Sequence, residues 1–328
     1  DAFNRENRVP YLKVIVLMSL FTFVFLGAEF LFVNMISRIV SGHRSVAAQN
    51  YALGVSAVGF VLYPLLCRFC KGNAQTSVSV CAAVISNACL FLMCRSGSYT
   101  LTLIAGLLLF LILGVFGSAV FYKSLCLLED NTHIARLTGI SYMLGTMLQI
   151  ANSNLVHIDI AEAAILSVFI MLLALMLIRA EKNSVVPALS KSEPDGGNGR
   201  ESLKISVILV FFVALMTCIF STLDNAVTLI HASGEANIGQ WPRVLLALSG
   251  LLAGFLFDTA SRKYMSIVMY CITVLSTTCL VVLQFAGSFT VGLVIFYLAA
   301  GFFAVFFTVS FMEIARYTET PELWAGLG

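Results

Sequence analysis

Gly254-Phe-Leu-Phe-Asp258-Thr-Ala-Ser-Arg262-Lys263 is a short charged turn between two long apolar runs. Gly254 has no side chain and lets two helices approach closely. Asp258 falls where one apolar run ends, and Arg262 and Lys263 fall where the next begins. A carboxylate and a guanidinium facing each other across such a turn can lock two helix ends and release them later. The bland alternative is a chance charged bend, so the weight of the stretch depends on what surrounds it.

What surrounds it is membrane sequence. Of 328 residues, 59% are hydrophobic and 11% charged, with a mean hydropathy of +0.96. Soluble domains carry about 25% charged residues, so this is an integral membrane protein. Ten stretches can cross about 30 Å of hydrocarbon as helices. They lie near 11–36, 46–66, 76–94, 99–122, 137–156, 160–179, 205–230, 241–257, 264–285 and 289–312. Period-2 alternation is absent, which argues against a β-barrel and for an all-α fold. With the N-terminus cytoplasmic, fifteen Lys and Arg residues fall on inner segments, against four on outer ones: Arg38, Arg44, Arg95 and Arg243. That asymmetry is the positive-inside pattern. The polar gap at 180–203 contains Pro187, Pro194 and Gly-Gly-Asn-Gly, and it reads as a flexible cytoplasmic linker. It separates an N-terminal half, 1–179, with six spans from a C-terminal part, 204–328, with four.

The two parts repeat each other. Thr22, Phe25 and Glu29 in the first span match Thr217, Phe220 and Asp224 in the seventh, each at an offset of 195. Leu137-Thr-Gly139 matches Trp324-Ala-Gly326 at an offset of 187. The loop Leu65 to Gly72 stands where Leu256 to Lys263 stands later. It keeps basic residues, including Arg68, but has Cys67 in place of the acid.

The stretch from Gly254 to Lys263 resembles the loop signature G-x-L-x-D-x-x-G-R-K of major facilitator superfamily transporters, with Ser261 at the second glycine. The resemblance implies two pseudo-symmetric six-helix halves, with about ten of twelve transmembrane helices present and two expected beyond Gly328. It implies an alternating-access transporter in which Asp258 and Arg262 brace the cytoplasmic face. Gly254, Lys263, Arg68 and Arg136 join them as gating candidates, and His133 and Arg136 resemble the charges such transporters use at the inner gate. The first and seventh helices would line a central cavity.

Acids inside apolar spans are costly and default to functional hypotheses. Glu29 and Asp224 are the two clear ones, each aligned with a Thr and a Phe on one helix face. They could bind and release protons, or hold a cationic solute. Each lies about 18 residues, or ~27 Å, from the inner end of its span, so an outer-gate hydrogen bond is an open alternative. Ser141, Gly145, Gln149 and Asn152 form a polar stripe on the fifth span. It meets the cavity or another helix, because amides in hydrocarbon need partners. Asn225 sits beside Asp224, turned by roughly 100° on the helix.

Other chemistries find little support. Cys67-x-x-Cys70 is a lone pair without a neighbouring His, and most of the nine cysteines lie in apolar runs. No phosphate-binding glycine loop, metalloprotease motif or nucleophile elbow occurs, and no basic-aromatic run suggests nucleic acid. No enzyme activity, cofactor or metal is expected. The expectation is a monomeric, multi-pass transporter of the cell membrane. It would move a small amphipathic organic solute, coupled to protons, with efflux favoured. The alternative is a transporter-like sensor joined to a cytoplasmic output domain beyond Gly328.

Overall fold

The computed structural model describes residues 8–70, 72–128, 133–183, 199–232, 241–259, 267–272, 274, 275, 278, 289–318 and 320–328. Among them the first six helices are α1 (Arg8–Ile39), α2 (His43–Phe69), α3 (Asn73–Arg95), α4 (Tyr99–Leu127), α5 (Ile134–Leu155) and α6 (Asp159–Asn183). Then come α7 (Gly199–Ala232), α8 (Trp241–Thr259), α9 (Phe289–Ala315) and the short α10 (Pro321–Gly326). Helices satisfy every backbone polar group within the segment, which hydrocarbon demands. The turns after α1 and α2 each carry a glycine with positive φ, Gly42 at 62° and Gly72 at 58°. A side chain there would be strained, so glycine lets the chain reverse within a few residues.

Eight described helices are long and apolar enough to cross a membrane. Two of the ten expected spans differ. The span expected at 137–156 is a helix, α5, but it falls short in hydropathy. The reason is its polar inner face: Ser141, Thr146 and Gln149 are each 1% exposed. It is shielded by its neighbours rather than by lipid. The span expected at 264–285 lies mostly outside the described residues. Helix α6 continues to Asn183 and α7 begins at Gly199, so both reach into the ends of the 180–203 segment.

Helix α1 lies against α4, α5 and α6; α2 and α3 both rest on α4, and α3 also on α6. In the second half α8 packs on α9. The halves meet where α5 packs on α8 and α9, and where α10 packs on α2 and α4. Aromatic side chains fill the first-half core: Phe21, Phe25 and Phe110 follow one another at centroid spacings of 5.6 and 5.5 Å. In the second half Phe220 stacks on Phe303 at 5.0 Å. Phe25 and Phe220 are the repeat-related pair, and both are packing residues of their own half.

Candidate functional site

A cavity of about 370 Å³ lies between the halves. Thr22 and Phe25 of α1, Phe60 of α2, and Ser141 and Tyr142 of α5 line one side. Ala304, Phe307 and Thr308 of α9 line the other. Among the described residues its wall is apolar and aromatic, with a few hydroxyl groups and no charged side chain.

One helical turn beyond Phe25, toward the predicted outer end, the lining changes character. Glu29 accepts a hydrogen bond from Nε2 of Gln49 on α2 at 2.9 Å. Arg243, in the first turn of α8, donates from Nη1 to Oε1 of Gln149 on α5 at 3.2 Å. Its guanidinium lies 5.0 Å from the centroid of the Phe30 ring, a cation–π contact. Asn152 donates to Oε1 of Glu162 at 3.5 Å, and Glu162 is 4% exposed. Asn225 on α7 accepts from Nδ2 of Asn50 on α2 at 3.2 Å, joining the halves. Arg243 is close enough to attract Glu29, Glu162 and Asp224, yet it forms no ion pair among the described residues. Asp224 and Glu29 are within electrostatic reach of each other, and Glu29 reaches Tyr142 on the cavity wall. Glu29, Glu162 and Asp224 are thus all in electrostatic range of one guanidinium, and with Gln49, Gln149, Asn152 and Asn225 they make a polar, charged layer beside the cavity.

All five residues expected to bind protons or solute, Glu29, Asp224, Gln149, Asn152 and Asn225, fall in this layer. The polar stripe of α5 is divided by depth. Ser141 lines the cavity, while Gln149 and Asn152 belong to the layer. Gly145 lets α5 touch α1: a Cβ there would meet Thr22 Cβ at 2.5 Å and Ser19 O at 2.8 Å.

At the other end of the bundle, Asp258 is 5% exposed and accepts the backbone N–H of Arg136 at 3.0 Å. Arg136 Nε lies 3.7 Å from the same carboxylate and His133 Nδ1 lies 4.0 Å from it. Arg136 also covers the Phe255 ring at 5.1 Å. Asp258 therefore caps the start of α5 and joins α8 to the opposite half. Its described partners are on α5; Arg262 and Lys263 lie outside the described residues. Gly254 is in contact here as well: a Cβ would meet Ala135 O at 2.6 Å and Gly139 Cα at 2.9 Å. Arg68 is exposed in the last turn of α2 and is not drawn into the contact.

Arg243 and Glu162 were not singled out from the sequence. Arg243 is the third residue of its span and reads as a flanking outer charge. Glu162 sits near the start of α6 and obeys the same rule that flagged Glu29. Gln49 and Asn50 form a polar pair in the first turns of α2, and that pair was the available signal.

No known family profile matches the sequence, and no curated protein matches it either. Among solved structures the chain is similar to the human organic anion transporter MFSD10 (TETRAN). The TM-score is 0.62 at 13% identity, over 98% of this chain and 88% of the other. With its apolar helices, its paired halves and this likeness, the chain is a multi-pass membrane protein with the fold of the major facilitator superfamily.

Proposed function

We propose that the protein is a secondary active transporter that moves a small amphipathic organic solute by alternating access. It works as a monomer of the cell membrane, with its N-terminus cytoplasmic. The observation that carries this reading is the cavity between the halves, capped by the charged layer. About 370 Å³ suits a small organic molecule. The apolar wall takes the body of the solute and the layer takes its polar end.

The layer also supports proton coupling. Glu29 on α1 and Asp224 on α7 both lie within electrostatic range of Arg243 on α8. A proton gained or lost by either acid changes the charge joining α1, α7 and α8. That biases which face opens, and a differential effect on the two states is the only way a gradient can do work on them. Solute and protons that compete for the same acids give exchange, which favours efflux. A second reading has its own observation: Arg243 has no carboxylate in ion-pairing distance among the described residues, and a structural neighbour is an organic anion transporter. Protonating both acids would leave Arg243 to hold an anionic end.

The test is flux of cationic and anionic amphipathic dyes in proteoliposomes under an imposed pH gradient. Gradient-driven flux should lose its pH dependence in Glu29→Gln and Asp224→Asn. Loss of anionic flux alone in Arg243→Gln supports the second reading. An unchanged pH profile in both acid variants removes proton coupling. Dye binding without flux in any condition supports a sensor instead.

A further inference from the structure

We infer that the crevice between α2 and α3 binds an anionic phospholipid, with Lys123 at the headgroup and an acyl chain along the slot. Helices α2 and α3 are consecutive, yet both rest on α4 and scarcely on each other. The gap is floored by α4 and backed by Leu177 of α6. Exposed Val78 and Leu65 beside it place its mouth on the lipid-facing side of the bundle.

The walls grade in polarity along the membrane normal. Lys123 of α4 and Gln75 of α3 stand at the end nearest the predicted cytoplasmic surface. Eight residues back along α4, or ~12 Å deeper, the walls are Val115, Tyr63 and Ala82. Lys123 has no ion pair among the described residues; its contact is the Tyr122 ring, 5.8 Å from Nζ to the centroid. Arg68, exposed in the last turn of α2, adds a second positive charge at the same end of the bundle. A compact ammonium with no ion pair among the described residues, at the membrane boundary and between helices, attracts an anionic headgroup. An apolar slot continuing from it toward the midplane matches an acyl chain and offers nothing to a free water-soluble anion. The inference rests on the membrane fold and on neither proton coupling nor transport direction.

The test is native mass spectrometry of the intact protein in detergent, titrated with phosphatidylglycerol and, separately, with phosphatidylcholine. A single headgroup contact by one lysine should appear as about a fivefold preference for phosphatidylglycerol. Lys123→Gln should remove the preference and Lys123→Arg should keep it. Arg44→Gln, exposed at the opposite end of α2, should leave it intact. Ala82→Trp should lower retention of both lipids by filling the slot while sparing Lys123. Equal preference in wild type and Lys123→Gln overturns the headgroup assignment. Displacement of the lipid by soluble glycerol phosphate at matching concentration overturns the acyl slot.

Discussion

At the predicted cytoplasmic end the halves meet along two seams, α5 on α8 and α10 on α2 and α4, fastened by different chemistry. Each seam has a glycine at its closest approach. Gly139 faces the backbone of Gly250 and Gly254, and its repeat partner Gly326 faces Ser118 and the Phe60 carbonyl. The fastenings differ. On the first seam the Asp258 carboxylate caps α5 and faces Arg136 and His133. On the second, Cys67 occupies the acid's place in the repeat. Beside it Arg316, just past the end of α9, donates from Nη2 to the Leu128 carbonyl at the end of α4 at 2.7 Å. Both seams have a glycine at a tight contact, against backbone on the first and against the Ser118 side chain on the second, and only the first has the carboxylate. A helix crossing at this distance admits no side chain, whereas a helix end can be tied by a carboxylate or by a donor to its last carbonyl.

The largest effect should come from the shared element. Gly254→Leu drives a side chain into Ala135 and Gly139, and overpacking of this kind costs about 1–3 kcal/mol or more. Transport in proteoliposomes should be lost while insertion persists, and Gly326→Leu should behave alike. If one glycine tolerates leucine and the other does not, the seams are not equivalent in their packing.

Asp258→Asn should come next. The amide oxygen can still accept the Arg136 N–H, so the loss is the charge assistance, about 1–2 kcal/mol. Arg136 is 27% exposed, which holds the figure at the lower end. Transport should fall up to about tenfold, with Cys67→Ser changing little. A wild-type rate in Asp258→Asn would take the carboxylate out of the latch and erase the contrast between seams.

Arg316→Gln should do least. The hydrogen bond to the Leu128 carbonyl is worth about 0.5–1.5 kcal/mol. Thermal unfolding in one detergent should show a small drop, with transport near wild type. A loss larger than that of Asp258→Asn would make the second seam the stronger gate.

The fold was legible because it is written in features that need no partner. Runs of twenty apolar residues, basic residues on alternate turns, and repeated Thr-Phe-acid triplets are local facts. The candidate site was legible where a costly residue stands out: Glu29 and Asp224 lie in apolar runs, and Asp258 ends one. Arg243 did not stand out, because a cation three residues into a span looks like a flank. It became part of the layer only when α8 packed on α5 and brought it to Gln149. Glu162 was hidden the same way at the start of α6, and Asn152 on α5 revealed it. A further partner came only with the fold: Arg262, four residues past Asp258, lies outside the described residues, and the described contacts of Asp258 are with His133 and with Arg136, 122 residues earlier, at the start of α5.

The sequence by itself determined the solvent and the approximate ends of the apolar helices among the described residues. Each follows from the cost of placing a group in hydrocarbon, and that cost belongs to the residue alone. Only the tertiary structure decided which polar groups meet. Hydrogen bonds and ion pairs across helices depend on rotation and depth to within a few ångströms, and those are set by the packing of one helix on another.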